Sequence, residues 1–212
     1  MDYVYRYDLI NRVVKNFGFK NYLEIGVFFP EDCFDKIDIE NKAGVDPGVE
    51  NPKNPVKYQM ESDVFFERLE GGLLDLPKDH KWDLIFIDGL HTADQVLNDI
   101  KNSMNHLTEG GYIMLHDCNP PTYLHQREDY LWEGKYLPWN GTVWKAIYYL
   151  RTHRSDLKVG VINTDWGVGI IRRETTQTIP MHNMFYEYNK MSANRRRDLG
   201  LIDVSEFDFW LG

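Results

Sequence analysis

Cysteine is scarce: the 212 residues hold only Cys33 and Cys118. They form neither a CxxC pair nor a disulfide framework, and a reducing cytoplasm is the context that usage fits. Long apolar runs are missing too, and no stretch approaches the roughly 18 residues that a membrane-spanning helix requires. Positive charge is in deficit, with 24 Lys and Arg against 33 Asp and Glu and a net charge of −9. That balance excludes a general nucleic-acid binder, which needs a basic face, and electrostatic attachment to an anionic membrane. The first residues, MDYVYRYDLI, carry two aspartates where a signal peptide needs an apolar stretch, which argues against secretion by that route. No internal repeat or low-complexity tract is visible. A P-loop is absent, so a nucleoside triphosphate fold of that type is not expected. The full GxGxxG is absent as well, because Gly26 is followed by Val27-Phe28-Phe29-Pro30. A pyrophosphate would lack its glycine cradle, which disfavours NAD.

What is present is a soluble, acidic, globular composition with a surplus of aromatics: 6 Trp, 13 Tyr and 11 Phe. At roughly 150 residues per domain the length corresponds to about 1.4 domains, so one domain with an elaboration is expected over 1–212. A chain this long buries about 70% of its unfolded surface and needs no staple to fold.

The first half alternates helix-like and strand-like segments. Residues 3–17 carry a helical stripe of Tyr7, Ile10, Val13, Val14 and Phe17, with Gly18 as the stop. Short apolar runs at 22–27, 43–47 and 56–60 read as strands. Ser62 is placed to cap a helix that buries Phe65, Phe66 and Leu69. The run Asp83-Leu84-Ile85-Phe86-Ile87-Asp88-Gly89 is continuous rather than alternating, the mark of a strand covered on both faces. Thr92 and Gln95 make a capping box for a helix along Val96, Ile100, Met104 and Leu107. Gly110-Gly111 ends that unit, and Tyr112-Ile113-Met114-Leu115 is the next buried strand. This alternation with short connections predicts an α/β, doubly wound, Rossmann-like sheet whose strand carboxyl ends share one edge.

The second half is less regular. Residues 119–140, rich in proline and aromatics, read as a loop or lid. Thr142 is placed to cap a helix through Val143, Ile147 and Leu150. Residues 159–162 and 167–171 form a candidate antiparallel pair about the turn Asn163-Thr164-Asp165. Residues 182–198 look helical and end in Arg195-Arg196-Arg197, read as a solvated helix end meeting its own dipole, with anion binding as the minority alternative. Residues 176–212 form a C-terminal extension. Its stretch Phe207-Asp208-Phe209-Trp210-Leu211 is a candidate interface for a homo-oligomer, an edge strand or a core plug.

Ligands of open α/β sheets bind beyond the carboxyl ends of the strands. There this sequence places Glu24 and Gly26, then Asp46, then Ser62 and Asp63, then Asp88, Gly89 and His91, then His116 and Asp117. Capping alone explains one acid at a strand end better than it explains five in succession. Gly26 lets backbone approach a ligand closely. Asp46 is placed to accept hydrogen bonds from ribose hydroxyls, or it is an ordinary Asp-Pro turn. Asp63 reaches an adenine amino group, or it stabilises the first turn of its helix. A nucleoside without phosphates suits these groups.

His91 lies just outside the helix that Thr92 caps, and its titration range suits proton abstraction. Asp88 stands three residues before it. Asp88, His116 and Asp117 are residue types that a divalent metal accepts. The plainer readings are a loop-capping His91, a structural His116, and an Asp117 that orients His91 with no metal. Cys118 reads as a small buried hydrophobe. Asn140-Gly141-Thr142 reads as a helix start. Trp139, Trp144 and Trp166 read chiefly as core, with acceptor stacking by Trp139 or Trp166 as the alternative.

The segments Tyr22-Leu23-Glu24-Ile25-Gly26-Val27, Gly44-Val45-Asp46-Pro47, Ser62-Asp63-Val64-Phe65-Phe66, Asp83 to His91, and Gly110-Gly111-Tyr112-Ile113-Met114-Leu115-His116-Asp117 together resemble class I S-adenosylmethionine-dependent methyltransferases. The similarity is to the subgroup with Ile-Asp-Gly-x-His and His-Asp signatures, which includes metal-dependent small-molecule and sugar O-methyltransferases. It spans roughly residues 18–175. It implies a seven-stranded mixed sheet with the last strand antiparallel, and S-adenosylmethionine as cofactor. Glu24 and Gly26 would face its methionine part, Asp46 its ribose, and Ser62 and Asp63 its adenine, with Asp88 at the cofactor's edge. The implied activity is methylation of a small-molecule hydroxyl, with His91 and Asp88 catalytic. Asp88, His116 and Asp117 would hold a metal such as Mg²⁺. Pro30 departs from the family, many of whose members keep a second glycine there. His116-Asp117 departs too, standing where metal-dependent members have two acids, and an imidazole shifts preference away from Mg²⁺. Two other function classes stay open on the residues alone: a metal-dependent hydrolase using Asp88, His91, His116 and Asp117, and a non-catalytic binding module of the same fold.

Overall fold

The structure, a computed structural model, describes residues 3–212. The chain divides into two compact units, residues 5–90 with 97–114, and residues 3–4 and 91–96 with 115–212.

In the first unit, helix α1 (Arg6–Phe17) buries Leu9, Ile10, Val13 and Val14; of the predicted stripe, Tyr7 is only half-buried and Phe17 is exposed. Asp8 reaches back to the Tyr5 N–H at 2.9 Å, and Gly18 closes the helix at φ 65° with its N–H on the Val14 carbonyl. Strands β1 (Asn21–Ile25) and β2 (Asn41–Val45) pair in parallel, as do β1 and β3 (Trp82–Ile87). Ile25 therefore lies beside both Val45 and Ile87. Leu84, Ile85 and Phe86 are fully buried, as a continuous apolar run requires.

The strand predicted at 56–60 is reduced to one parallel bridge between Val45 and Tyr58. Asn54 breaks it: its side chain takes the Val27 carbonyl and the Val56 N–H, so local side-chain bonds replace a ladder. Helix α2 (Ser62–Glu70) buries Phe65, Phe66 and Leu69 as expected. Its cap position is Glu61, however, and the Ser62 hydroxyl donates to Asp99 Oδ1 at 2.6 Å on α3 (Ala93–Asn105). Strand β4 (Leu107–Leu115) begins before Gly110-Gly111 rather than after it. A Cβ on Gly111 would lie 2.8 Å from the Asp83 carbonyl oxygen, so the glycines let the strand run close to β3.

In the second unit, residues 119–140 carry structure of their own. A 3₁₀ turn (Tyr123–Gln126) precedes a hairpin of β5 (Leu131–Trp132) and β6 (Lys135–Tyr136). The Arg127 guanidinium binds the carbonyls of Leu124, Tyr130, Leu137 and Pro138 at 2.7–3.0 Å, gathering the loop around one cation. Helix α4 (Val143–His153) buries Val143, Trp144, Ile147 and Leu150. Thr142 sits at its cap position, yet the hydroxyl serves another helix: it accepts the Ala93 N–H at the start of α3, at 2.8 Å.

Strands β7 (Leu157–Ile162) and β8 (Val168–Arg173) are antiparallel, as predicted. The expected helix over 182–198 divides into α5 (Tyr188–Ala193) and α6 (Arg195–Asp198). Before it, the Asn183 side chain closes a loop on both backbone groups of Glu187. The arginine run is paired with its surroundings rather than left to the helix dipole. Arg195 binds Tyr188 Oη at 2.7 Å and Asn119 Oδ1, Arg196 binds Asp203 at 2.9 Å, and Arg197 binds Asp198 at 3.0 Å. A two-residue β9 (Leu201–Ile202) pairs parallel to β7. Phe207 to Leu211 form a short helix, α7, which buries Phe207 and Leu211 as a core plug and leaves Phe209 exposed.

The sheet is seven-stranded and mixed, in the order β2-β1-β3-β4-β8-β7-β9, with β8 antiparallel to β7. Among the described residues no helix is long and apolar enough to cross a membrane.

Candidate active site

At the end of β1, Gly26 adopts φ 87°. A Cβ there would overlap the Asp88 carbonyl and the Gly89 Cα. The neighbouring strand exit therefore requires a glycine here. Gly26 N–H donates to the Val45 carbonyl, and Asp88 N–H to the Ile25 carbonyl, each at 2.8 Å. The Asp88 carboxylate stands 3.7 Å from Arg6 Nε.

Glu24 is 3% exposed and accepts the Tyr22 hydroxyl at 2.5 Å. Burial raises its carboxyl from 4.5 to about 8; the Tyr22 bond and Arg6 oppose the rise, and the Asp88 charge adds to it. Glu24 is therefore largely protonated at neutrality. Between about 4.5 and about 8 the unfolded chain has released this proton and the fold has kept it. Its contribution to stability accordingly declines as pH rises through that window and levels off above it. Urea denaturation from about pH 5 to about pH 9 should show a larger loss for the wild type than for Glu24→Gln. Equal losses would mean that Glu24 is ionised throughout. Burial also pushes the neighbouring Cys33 thiol far up, which leaves it inert.

Asp46 closes β2 with Oδ1 on the Gly48 N–H at 2.6 Å, and burial raises its carboxyl. Asp63 Oδ1 accepts the Asn98 amide at 2.6 Å, so both Ser62 and Asp63 bind α3 side chains.

A second group of site residues lies in the other unit. His116 and Asp117 follow β4 and are 7% and 6% exposed. Asp117 adopts φ 60°, a left-handed backbone that aspartate tolerates better than most residues. Its Oδ2 stands 3.4 Å from His91 Nδ1 and 3.2 Å from His116 Nδ1. His116 Nε2 faces Asp165 Oδ2 at 3.7 Å. Asn140 Nδ2 donates to Asp117 Oδ1 at 2.7 Å.

His91 is held from several sides. Its ring stacks on Trp139 with centroids 4.7 Å apart, and its carbonyl accepts the Thr142 N–H at 2.7 Å. Gly141, at φ 60°, leaves no room for a Cβ against the His91 backbone. Trp139 is thus a wall of the histidine, whereas Trp144 is core and gives its N–H to Gln126 at 3.1 Å. Trp166 is exposed, beside His125. Cys118 is fully buried, with its sulfur 3.4 Å from the His116 carbonyl.

Asn140 and Asp165 were missed by the sequence reading. Each sits in a turn-rich tripeptide, Asn140-Gly141-Thr142 or Asp165-Trp166-Gly167, and nothing local separates such a residue from an ordinary turn former. Within this unit a carboxylate and an imidazole, both metal-ligand types, stand 3.2 Å apart at Asp117 and His116.

Residues 35–118 match the family described as "Methyltransferase domain". No curated protein matches the chain. Among solved structures, it is similar to the methyltransferase of Podospora anserina bound to SAH (16% identity, 79% of this chain and 77% of that one, TM-score 0.54). It is similar as well to the O-methyltransferase of Bacillus cereus in complex with SAH (11% identity, 78% and 79%, TM-score 0.52). A third is a putative caffeoyl-CoA O-methyltransferase of Staphylococcus aureus (17% identity, 82% and 86%, TM-score 0.52). The chain shares the fold of these methyltransferases. Glu24, Asp46, Asp88, His116 and Asp117 each stand at or close after the end of a strand.

Proposed function

We propose that this protein is an S-adenosylmethionine-dependent O-methyltransferase acting on a hydroxyl of a small molecule or sugar. One observation carries the reading: His91 is pinned beside the buried Asp117 carboxylate, 3.4 Å away, in a methyltransferase fold. His91 Nδ1 is turned to Asp117, and Nε2 would be the atom that meets the acceptor hydroxyl. His91 would take the proton of the acceptor hydroxyl, leaving that oxygen to receive the methyl group the cofactor would supply. Asp117 stabilises the imidazolium that results, and Trp139 holds the ring in place and limits water around it.

When bound, S-adenosylmethionine supplies an activated methyl group on a sulfonium. Glu24 and Gly26 would border its methionine part, Asp46 its ribose, and Ser62 and Asp63 its adenine, with Asp88 alongside. A divalent metal would act as a Lewis acid on the acceptor oxygen. Asp88, His116 and Asp117 are the donors that would hold it, and the imidazole favours ions softer than Mg²⁺. A cytoplasmic setting goes with this reading, on the two free cysteines.

Calorimetry with S-adenosylmethionine tests the proposal. Saturable binding is expected, and no heat at millimolar cofactor would overturn it.

A further inference from the structure

Asn140 is fully buried. Its Nδ2 donates to Asp117 Oδ1 at 2.7 Å and lies 3.4 Å from the Trp166 carbonyl. Those two acceptors decide which end of the amide is oxygen, because turning it over would set Oδ1 against both. Among the described residues Oδ1 then has no hydrogen-bond partner. A buried amide oxygen left in that state costs roughly 1–3 kcal/mol. Its main chain is held in place: the Asn140 N–H is bound to the His125 carbonyl at 2.9 Å, and the Thr142 N–H to the His91 carbonyl at 2.7 Å. The orphaned oxygen is two bonds from the nitrogen that touches Asp117. Asp117 Oδ2, on the other side of that carboxylate, faces the imidazole of His116 at 3.2 Å.

We infer that Asn140 Oδ1 is a direct ligand for a divalent cation, alongside Asp117 and His116. The inference rests on the metal-assisted form of the proposed function. A neutral amide oxygen with a carboxylate and an imidazole makes a mixed O/N set suited to Mn²⁺ and its neighbours. The Nδ2 bond has a use in this arrangement, since it orients the carboxylate that shares the ion.

The experiment uses the full chain with Mn²⁺ alone. The wild type is expected to bind one Mn²⁺, and Asn140→Ala to weaken that binding roughly 10–100-fold. The decisive measurement needs no variant. Wild-type protein labelled with ¹³C at the asparagine carboxamide carbons should show a strong ¹³C hyperfine coupling to bound Mn²⁺ by electron–nuclear double resonance. Bound Mn²⁺ without that coupling overturns the inference, as would unaltered affinity in Asn140→Ala, and the oxygen would then belong to the acceptor's binding surface. Failure of the wild type to bind Mn²⁺ overturns it as well. Calorimetry with S-adenosylmethionine on the same sample separates that outcome from failure of the methyl-transfer reading itself.

Discussion

His91→Ala should slow methyl transfer by roughly 10²–10⁴-fold, the usual span for removing a general base, while leaving cofactor affinity nearly unchanged. The two readouts are transfer of labelled methyl from S-adenosylmethionine to hydroxylated small molecules, and calorimetric binding of the cofactor. The separation follows from where His91 is held. Trp139, Thr142 and the Asp117 carboxylate at 3.4 Å hold it, and none of these is a group proposed to border the cofactor. Full activity in the variant would remove the base assignment and leave Asp117 to serve some other group. Loss of cofactor binding in step with activity would mean that His91 supports the cofactor instead. The pH profile adds a check, because a histidine base produces an acidic limb that the alanine variant must lack.

Gly26→Ala should cost about 4 kcal/mol of stability, from the strain of a side chain at φ 87° together with overpacking. The methyl would have to displace the Asp88 carbonyl and Gly89, backbone on the neighbouring strand exit, and neither can rotate aside as a side chain would. Gly110→Ala is the control in the same unit. Gly110 has φ 75° but open space around its Cβ position, so only the left-handed backbone penalty of about 1–2 kcal/mol applies. Urea denaturation of the two variants isolates the packing contribution. Equal losses would show that the β1 and β3 exits can part freely. A stable Gly26→Ala protein should also shift Asp88 relative to Arg6, since the Asp88 backbone takes the blow.

The strands were legible for a simple reason. A strand covered on both faces reads as an unbroken apolar run, and residues 83–87 gave that signal without ambiguity. The turn acids after them were legible for the same reason, as the first polar residues beyond a buried run. The 56–60 segment misled because its apolar residues look like a strand, while Asn54, some residues earlier, diverts the neighbouring backbone into side-chain hydrogen bonds. Thr142 and Ser62 misled in a related way. A hydroxyl at a helix start is a plausible local cap, yet one reached α3 from 49 residues away and the other reached Asp99. Propensity describes what a side chain can do for its own backbone, and tertiary contacts outbid that offer in both cases.

By itself the sequence determined the class of the sheet, its principal buried strands and the acids and histidines that follow them. Those depend on hydrophobic period and on turn chemistry, which are written in consecutive residues. Only the tertiary structure decided what those groups do to one another. Burial, which no single residue announces, keeps the proton on Glu24. Chain reversals far along the sequence bring Asn140 to Asp117, 23 residues away, and Asp165 to His116. A need for glycine at position 26 also comes from a neighbouring backbone, because close approach between strands is a property of their pairing and not of the glycine.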